Sequence, residues 1–279
     1  MFVGTGRLDV VRPTDDNCES LLILSVRSAL RRWTARAGTE HSIPRRRHTA
    51  NSMDKSDLQE LLAALYLRLN GYFPTGFIAH APVGNLTEID ILAVRFPDHK
   101  ELEREVEPCV HLHPPKECID LVVGEVKGGK RNPNFNTKFY QRPEAVEKVL
   151  NRIGAFSKNE IADLVLQISA AAKPESWRRH QDFPMLPVQS WRAQLRLVLF
   201  APDQDRDTKQ TRPAIYGDDM VNFIWKCLRP TSPRAGCAVD YNPELWGHQF
   251  NALIAYFKDR ARQAPGEVSD VYAALLSNA

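Results

Sequence analysis

Cysteine is scarce and poorly spaced for either metal or disulfide chemistry. Cys18, Cys109, Cys118, Cys227 and Cys237 never stand closer than nine positions apart. That spacing excludes a CxxC-type zinc ligand set and a compact disulfide framework, so a reducing, cytoplasmic setting is expected. Long apolar runs are also missing. The stretch from Leu21 to Val26 includes Ser25 and falls far short of the roughly 20 residues that span a bilayer. A membrane is therefore not an expected partner, and no internal repeat or low-complexity tract points to a solenoid. The chain as a whole lacks a strong charge of one sign, its 279 residues carrying a formal +3. The basic excess is local. Residues 1–52 contain nine arginines, no lysine and five acids. Such an arm suits contact with phosphates, a transit peptide or an upstream extension ahead of a domain that starts at Met53.

What is present reads as globular composition, with 43% hydrophobic and 25% charged residues and enough length for a sizeable core. Three regions are expected: a basic, poorly ordered extension over 1–52, a core domain over 53–202, and a strand and helix extension over 203–279 packed on that core. From Ser56, leucines 58, 61, 62, 65 and 69 recur at helical spacing, and Gly71 ends the run. Phe77 to Ala81 and Ile89 to Phe96 read as a hairpin around Pro82, Gly84 and Asn85. Residues 97–118 form a charged, then Pro- and His-rich excursion. The strongly apolar segment Ile119 to Val126 predicts a buried central strand. Helices are expected over 143–156, 159–172, 218–228 and 243–262, with strands at 195–201 and 214–216. The order implies an α/β fold with one mixed central sheet flanked by helices.

Two acids break this pattern informatively. In Glu88-Ile89-Asp90-Ile91-Leu92, alternation sends Asp90 to the face opposite Ile89 and Ile91. In Glu125-Val126-Lys127, the acid and the lysine share one side at the end of the most apolar strand. Unpaired charge there is costly and needs a reason. Phosphodiester hydrolysis supplies one. Two carboxylates from adjacent strands can hold Mg²⁺ or Mn²⁺, hard cations that keep some of their waters, and a lysine beside them can orient water or offset developing charge.

Asp90 followed by the triplet Glu125-Val126-Lys127 resembles the PD-(D/E)xK nuclease superfamily, with the nearest look to its Holliday junction resolvase, YraN-like and Mrr-like branches. Glu60 on the first helix, Leu69-Asn70-Gly71-Tyr72 at its exit and Glu88 to Ala93 carry the rest of the likeness over residues 55–156. The resemblance implies a restriction-endonuclease-like fold, to which the residues after 202 add a C-terminal helical extension, and it implies metal-dependent cleavage of nucleic acid, chiefly DNA, with a homodimer as one form of assembly. It assigns Asp90 and Glu125 to the metal, Lys127 to catalysis and Glu60 to a supporting catalytic place. The sequence departs from the family name in having Ile89 where a proline would stand. It also inserts a long segment, carrying Glu101, Glu103, Glu105, Glu107, His111 and His113, between the two motif strands.

Several residues have two readings. Lys130, Arg131 and Lys138, interleaved with Phe135, Phe139 and Tyr140, suit phosphate binding and base stacking or a solvated loop; Gln141 matches a glutamine that some family members carry after the triplet. His111 and His113 have the spacing of two metal ligands, but Pro114-Pro115 argues for an exposed loop. Trp177, Phe223, Trp225, Trp246, Phe250, Tyr256 and Phe257 are expected to pack. Against the nuclease stand a silent nuclease-fold protein that binds nucleic acid or assembles, and a structural or interaction domain in which the acids and the lysine form an ion-pair network and the C-terminal helices carry the function.

Overall fold

The structure is a computed structural model that describes residues 53–81, 85–97, 106–115, 117–129, 132–177, 182–188, 192–206, 213–229 and 246–276. The chain divides into residues 1–51 and residues 52–279, so the basic arm and its expected phosphate contacts lie outside the described residues.

Helix α1 spans Lys55–Leu69. It starts one residue before the expected Ser56 because Asp54 is the better cap: its side chain accepts the Asp57 N–H while Asp57 reaches back to the Asp54 N–H. Strands β1 (Phe73–His80), β2 (Asn85–Arg95) and β3 (Ile119–Val126) follow. Helices α2 (Thr137–Gln141), α3 (Pro143–Ile153), α4 (Lys158–Ala171) and α5 (Pro174–Trp177) come next, then β4 (Met185–Val188) and β5 (Ala193–Ala201). Strand β6 (Ile215–Tyr216), α6 (Gly217–Leu228), a 3₁₀ turn at His248–Phe250, α7 (Asn251–Lys258) and α8 (Val268–Leu276) complete the order.

Among the described residues the sheet runs β1-β2-β3-β5-β4, with β6 on the far part of β5. The first three strands are antiparallel, and β3 and β5 are parallel along Ile119↔Ala193 to Val126↔Phe200. This is the α/β arrangement with a mixed, helix-flanked sheet that the order of elements implies. Strands β3 and β5 are buried on both faces, as their mostly apolar sequences require. On one face α1 packs against β5 and α6, with Tyr66 edge-on to Phe200 and Phe223. Gly124 lets the strand lie close there, since a Cβ would fall 3.0 Å from the Phe200 ring.

Three expectations are corrected. The helix expected over 243–262 is shorter: Gly247 at φ 108 precedes the 3₁₀ turn, and α7 ends at Lys258; residues 230–245 lie outside the described part. Strand β4 and helix α8 were not anticipated, because Pro187 interrupts the first and the second is only nine residues long. Phe135 and Phe139 do not await bases. They are buried, and Phe135 meets Trp177 edge-on at 5.1 Å.

At the end of β3 remote from Glu125, Asp120 and Arg196 form a fully buried ion pair. Arg196 Nε donates to Asp120 Oδ1 at 2.9 Å, and Arg196 Nη2 donates to Tyr72 Oη at 2.6 Å. Tyr72 in turn donates to Asp120, and Arg196 also donates to the Leu112 carbonyl. The pair ties the helix exit, the inserted segment and the two central strands together. Tyr72→Phe keeps the Asp120–Arg196 contact but removes a hydroxyl bonded to both charged partners, and should cost about 1.5–3 kcal/mol, the scale of a hydrogen bond to a charged group. A lower urea midpoint with an unchanged slope is the expected result.

Candidate active site

The parallel strands β3 and β5 end at the same rim, where crevices for ligands form in open α/β sheets. The last antiparallel pair between β2 and β3 is Ile91↔Gly124. One step further out, where Asp90 would face Glu125, the backbone ladder stops. The Asp90 carboxylate reaches across instead, and its Oδ2 accepts the Val126 N–H at 2.7 Å. The splayed strands thereby bring an acid from each to one place, with Asp90 partly exposed and Glu125 only 1% exposed.

Lys127, 35% exposed in its side chain, follows on the same side of β3 and donates from Nζ to Glu125 Oε1. The other oxygen of Glu125 has no such partner. The Asn136 amide favours the ionised form from the loop side, yet Oε2 is buried without a hydrogen bond of ordinary geometry. An acceptor left this way carries a desolvation penalty of about 1–3 kcal/mol or more. Burial is the main cause that pushes the Glu125 carboxyl up to about 7, with Asp90 adding repulsion and Lys127 opposing it.

Glu60 projects half-buried from α1. Burial first, then the charges of Asp90 and Glu88, raise its carboxyl to about 7. Burial also raises Asp90, while the Val126 N–H and Lys127 pull it down. Asp90 is thus the acid best supported in ionised form, and its neighbours take up the resulting repulsion. The charge of Asp90 acts on Glu60 of α1 and on Glu125 of β3.

Lys138 and Gln141 are exposed on α2, the Lys138 N–H being capped by Asn136 Oδ1 at 3.0 Å. Lys130 and Arg131 lie outside the described residues. His111 and His113 do not form a metal pair: His111 Nε2 lies 3.2 Å from Asp219 Oδ1, which fastens the inserted segment to α6, and His113 adopts φ 41 in an exposed turn.

Among the described residues no group of three or more His, Cys, Asp or Glu side chains is arranged to hold a metal ion. The donor set present at the rim still fits a Mg²⁺-type ion. Such an ion is commonly held through one or two carboxylates, with water and substrate phosphate completing its shell, and the buried Oε2 of Glu125, without an ordinary hydrogen bond, is an oxygen donor of that kind.

Sequence reasoning overlooked Asp203. It stands just after β5 in what reads as polar linker, and its carboxylate accepts from Gly129 N at 2.7 Å, Lys55 Nζ at 2.8 Å and Gln59 Nε2 at 3.0 Å. Although desolvation acts upward, the hydrogen bonds from Lys55 and Gly129 hold its carboxyl below the ordinary value. The available signal was an acid directly after a buried strand parallel to the one that carries Glu125.

No protein-family model, curated protein or solved structure matches the chain.

Proposed function

We propose that this chain is a metal-dependent nuclease of restriction-endonuclease-like fold that hydrolyses phosphodiester bonds in DNA, with Asp90, Glu125 and Lys127 at its centre and Glu60 in support. The observation that carries the reading is the rim itself. Two carboxylates from splayed adjacent strands meet there with a lysine, and one oxygen of the buried acid lacks a hydrogen bond of ordinary geometry. Bound Mg²⁺ or Mn²⁺ would supply Lewis-acid polarisation of a phosphoryl oxygen and a more acidic water.

The protein's own contribution follows from position. Asp90 and Glu125 would hold the ion, Asp90 being anchored by the Val126 amide so that its carboxylate keeps one orientation. Lys127 is free of a buried environment on its outer side and within reach of Glu125. With the ion on the carboxylates, its ammonium is available to orient the attacking water or to offset charge on the scissile phosphate. Glu60 lies beside Asp90 and, with a carboxyl raised to about 7, can carry a proton near neutral pH. Lys138 and Gln141 on the exposed face of α2, with Lys130 and Arg131 before them in sequence, would meet the backbone of the nucleic acid.

The direct test incubates purified protein with supercoiled, linear, branched and single-stranded DNA, and with RNA, in Mg²⁺, Mn²⁺ or EDTA. Cleavage in either metal and none in EDTA is the expected outcome, and comparison of the substrates reads out preference. Absence of cutting on every substrate by folded protein would overturn the proposal. It would favour the reading in which the Glu125–Lys127 ion pair belongs to a silent binding or assembly domain.

A further inference from the structure

Directly after Lys127 the chain has little freedom. A Cβ on Gly128 would lie 2.6 Å from Gln59 Oε1, and Gly129 adopts φ 87, a conformation open to glycine. Two consecutive residues from the end of β5 hold the Gly129 peptide at both of its polar atoms. The Asp203 carboxylate accepts its N–H at 2.7 Å, and Gln204 Nε2 donates to its carbonyl at 3.0 Å. The Lys127 N–H is fixed on the same strand, donating to the Phe200 carbonyl at 2.8 Å.

The other oxygen of Asp203 accepts from Gln59 Nε2 at 3.0 Å. Gln59 is buried and immediately precedes Glu60 on α1. One carboxylate therefore joins the backbone next to Lys127 to the helix turn that carries Glu60, across 74 and 144 positions of sequence. The apolar faces of α1, β3 and β5 already bind these elements together. A polar clamp confined to the rim, on the residues flanking the candidate site, acts on the placement of that site.

We infer that Asp203 is a positioning residue that fixes Lys127 and Glu60 relative to Asp90 and Glu125 through its bonds to Gly129 and Gln59. Its catalytic consequence rests on the nuclease reading, whereas the clamp itself rests on geometry alone. Asp203 does not touch the reacting groups.

The test compares Asp203→Ala and Gln204→Leu with the unaltered protein in two independent measurements. The first is amide hydrogen exchange at Gly129 and Lys127 without metal. Asp203→Ala, which leaves the Gly129 N–H without its acceptor, should speed exchange at Gly129 about 10-fold or more, the scale of a lost charge-assisted hydrogen bond. The second is cleavage kinetics, in which both variants should lower kcat by about 10- to 100-fold, as for a small misplacement of reacting groups, with KM for DNA little changed. Gln204→Leu removes the bond to the Gly129 carbonyl and leaves the Asp203 charge, so it reads positioning without a change of charge at the rim. Unaltered Gly129 exchange in Asp203→Ala would overturn the clamp. Faster exchange with unchanged kcat would overturn the positioning role. An inactive wild-type protein would sink the nuclease reading and leave the clamp to be judged by the exchange data.

Discussion

Asp90→Asn is expected to lower metal-dependent cleavage by about 10³-fold while leaving the protein folded, a loss at the upper end of what removal of one preorganised charged group causes. Asparagine is the informative substitution because Asp90 has two duties. Its Oδ2 closes the splay between β2 and β3 by accepting the Val126 N–H at 2.7 Å, and its charge would bind the ion. The amide oxygen of asparagine can keep the first duty and cannot supply the second. Asp90→Ala loses both, so part of its effect would come from an orphaned backbone donor. Lys127→Ala should cost about 10²–10³ in kcat with no loss of metal binding, since Lys127 holds Glu125 without being a donor to the ion. Single-turnover cleavage at saturating Mn²⁺, alongside thermal melting, separates these cases. An Asp90→Asn protein that cuts within about threefold of wild type would remove Asp90 from the centre of the mechanism.

The contrast between what could be read from the sequence and what could not follows the range of the interactions. Strand β3 was legible to the residue because a strand buried on both faces is apolar along most of its length, so Glu125 and Lys127 stood out at its end. Asp90 was legible as an inward-facing acid by alternation, but not its bond to Val126, which exists only because the ladder stops after Ile91↔Gly124. The Asp120–Arg196 pair was visible in principle: each is a lone charge inside an apolar run, and the parallel register sets Asp120 beside Gln194, two residues from Arg196. Asp203 was hidden because its meaning depends on Gln59 and Gly129, distant in sequence and joined only by the sheet. The aromatics after the triplet misled through their company. Asn132, Asn134 and Lys138 suggest a wet loop, yet Phe135, just before α2, and Phe139, on it, are both buried in the core.

A structural ion pair and a metal site make opposite predictions for Glu125→Gln. If Glu125 serves mainly to pair with Lys127, its loss should weaken the fold. If it is an acid buried for function, its loss should strengthen the metal-free protein, because function and stability pull apart at such sites. The pH dependence follows from the raised carboxyl groups. Glu60 and Glu125 both move from an ordinary 4.5 to about 7, so the folded chain holds these protons more tightly than the unfolded chain. The stability they contribute is complete below pH about 4.5 and is lost as pH rises through about 7. His111, lowered by burial against the pull of Asp219, runs the other way, its contribution being present above its ordinary 6.5 and lost as pH falls. Comparing wild type with Glu125→Gln cancels the His111 contribution. The variant should match wild type near pH 5 and exceed it by about 1–3 kcal/mol at pH 8, the scale set by a buried carboxyl moved from 4.5 to about 7 that the neutral amide does not have to ionise. Lys127, partly exposed, can hydrate when its partner is neutral. Mg²⁺ or Mn²⁺ should raise the Tm of wild type more at pH 8 than at pH 5.5, since the ion binds the deprotonated carboxylates of the folded state, and should do little for the variant. A variant less stable than wild type at pH 8, with no metal-dependent shift in either protein, would make Glu125–Lys127 a structural ion pair and the rim a place where no ion binds.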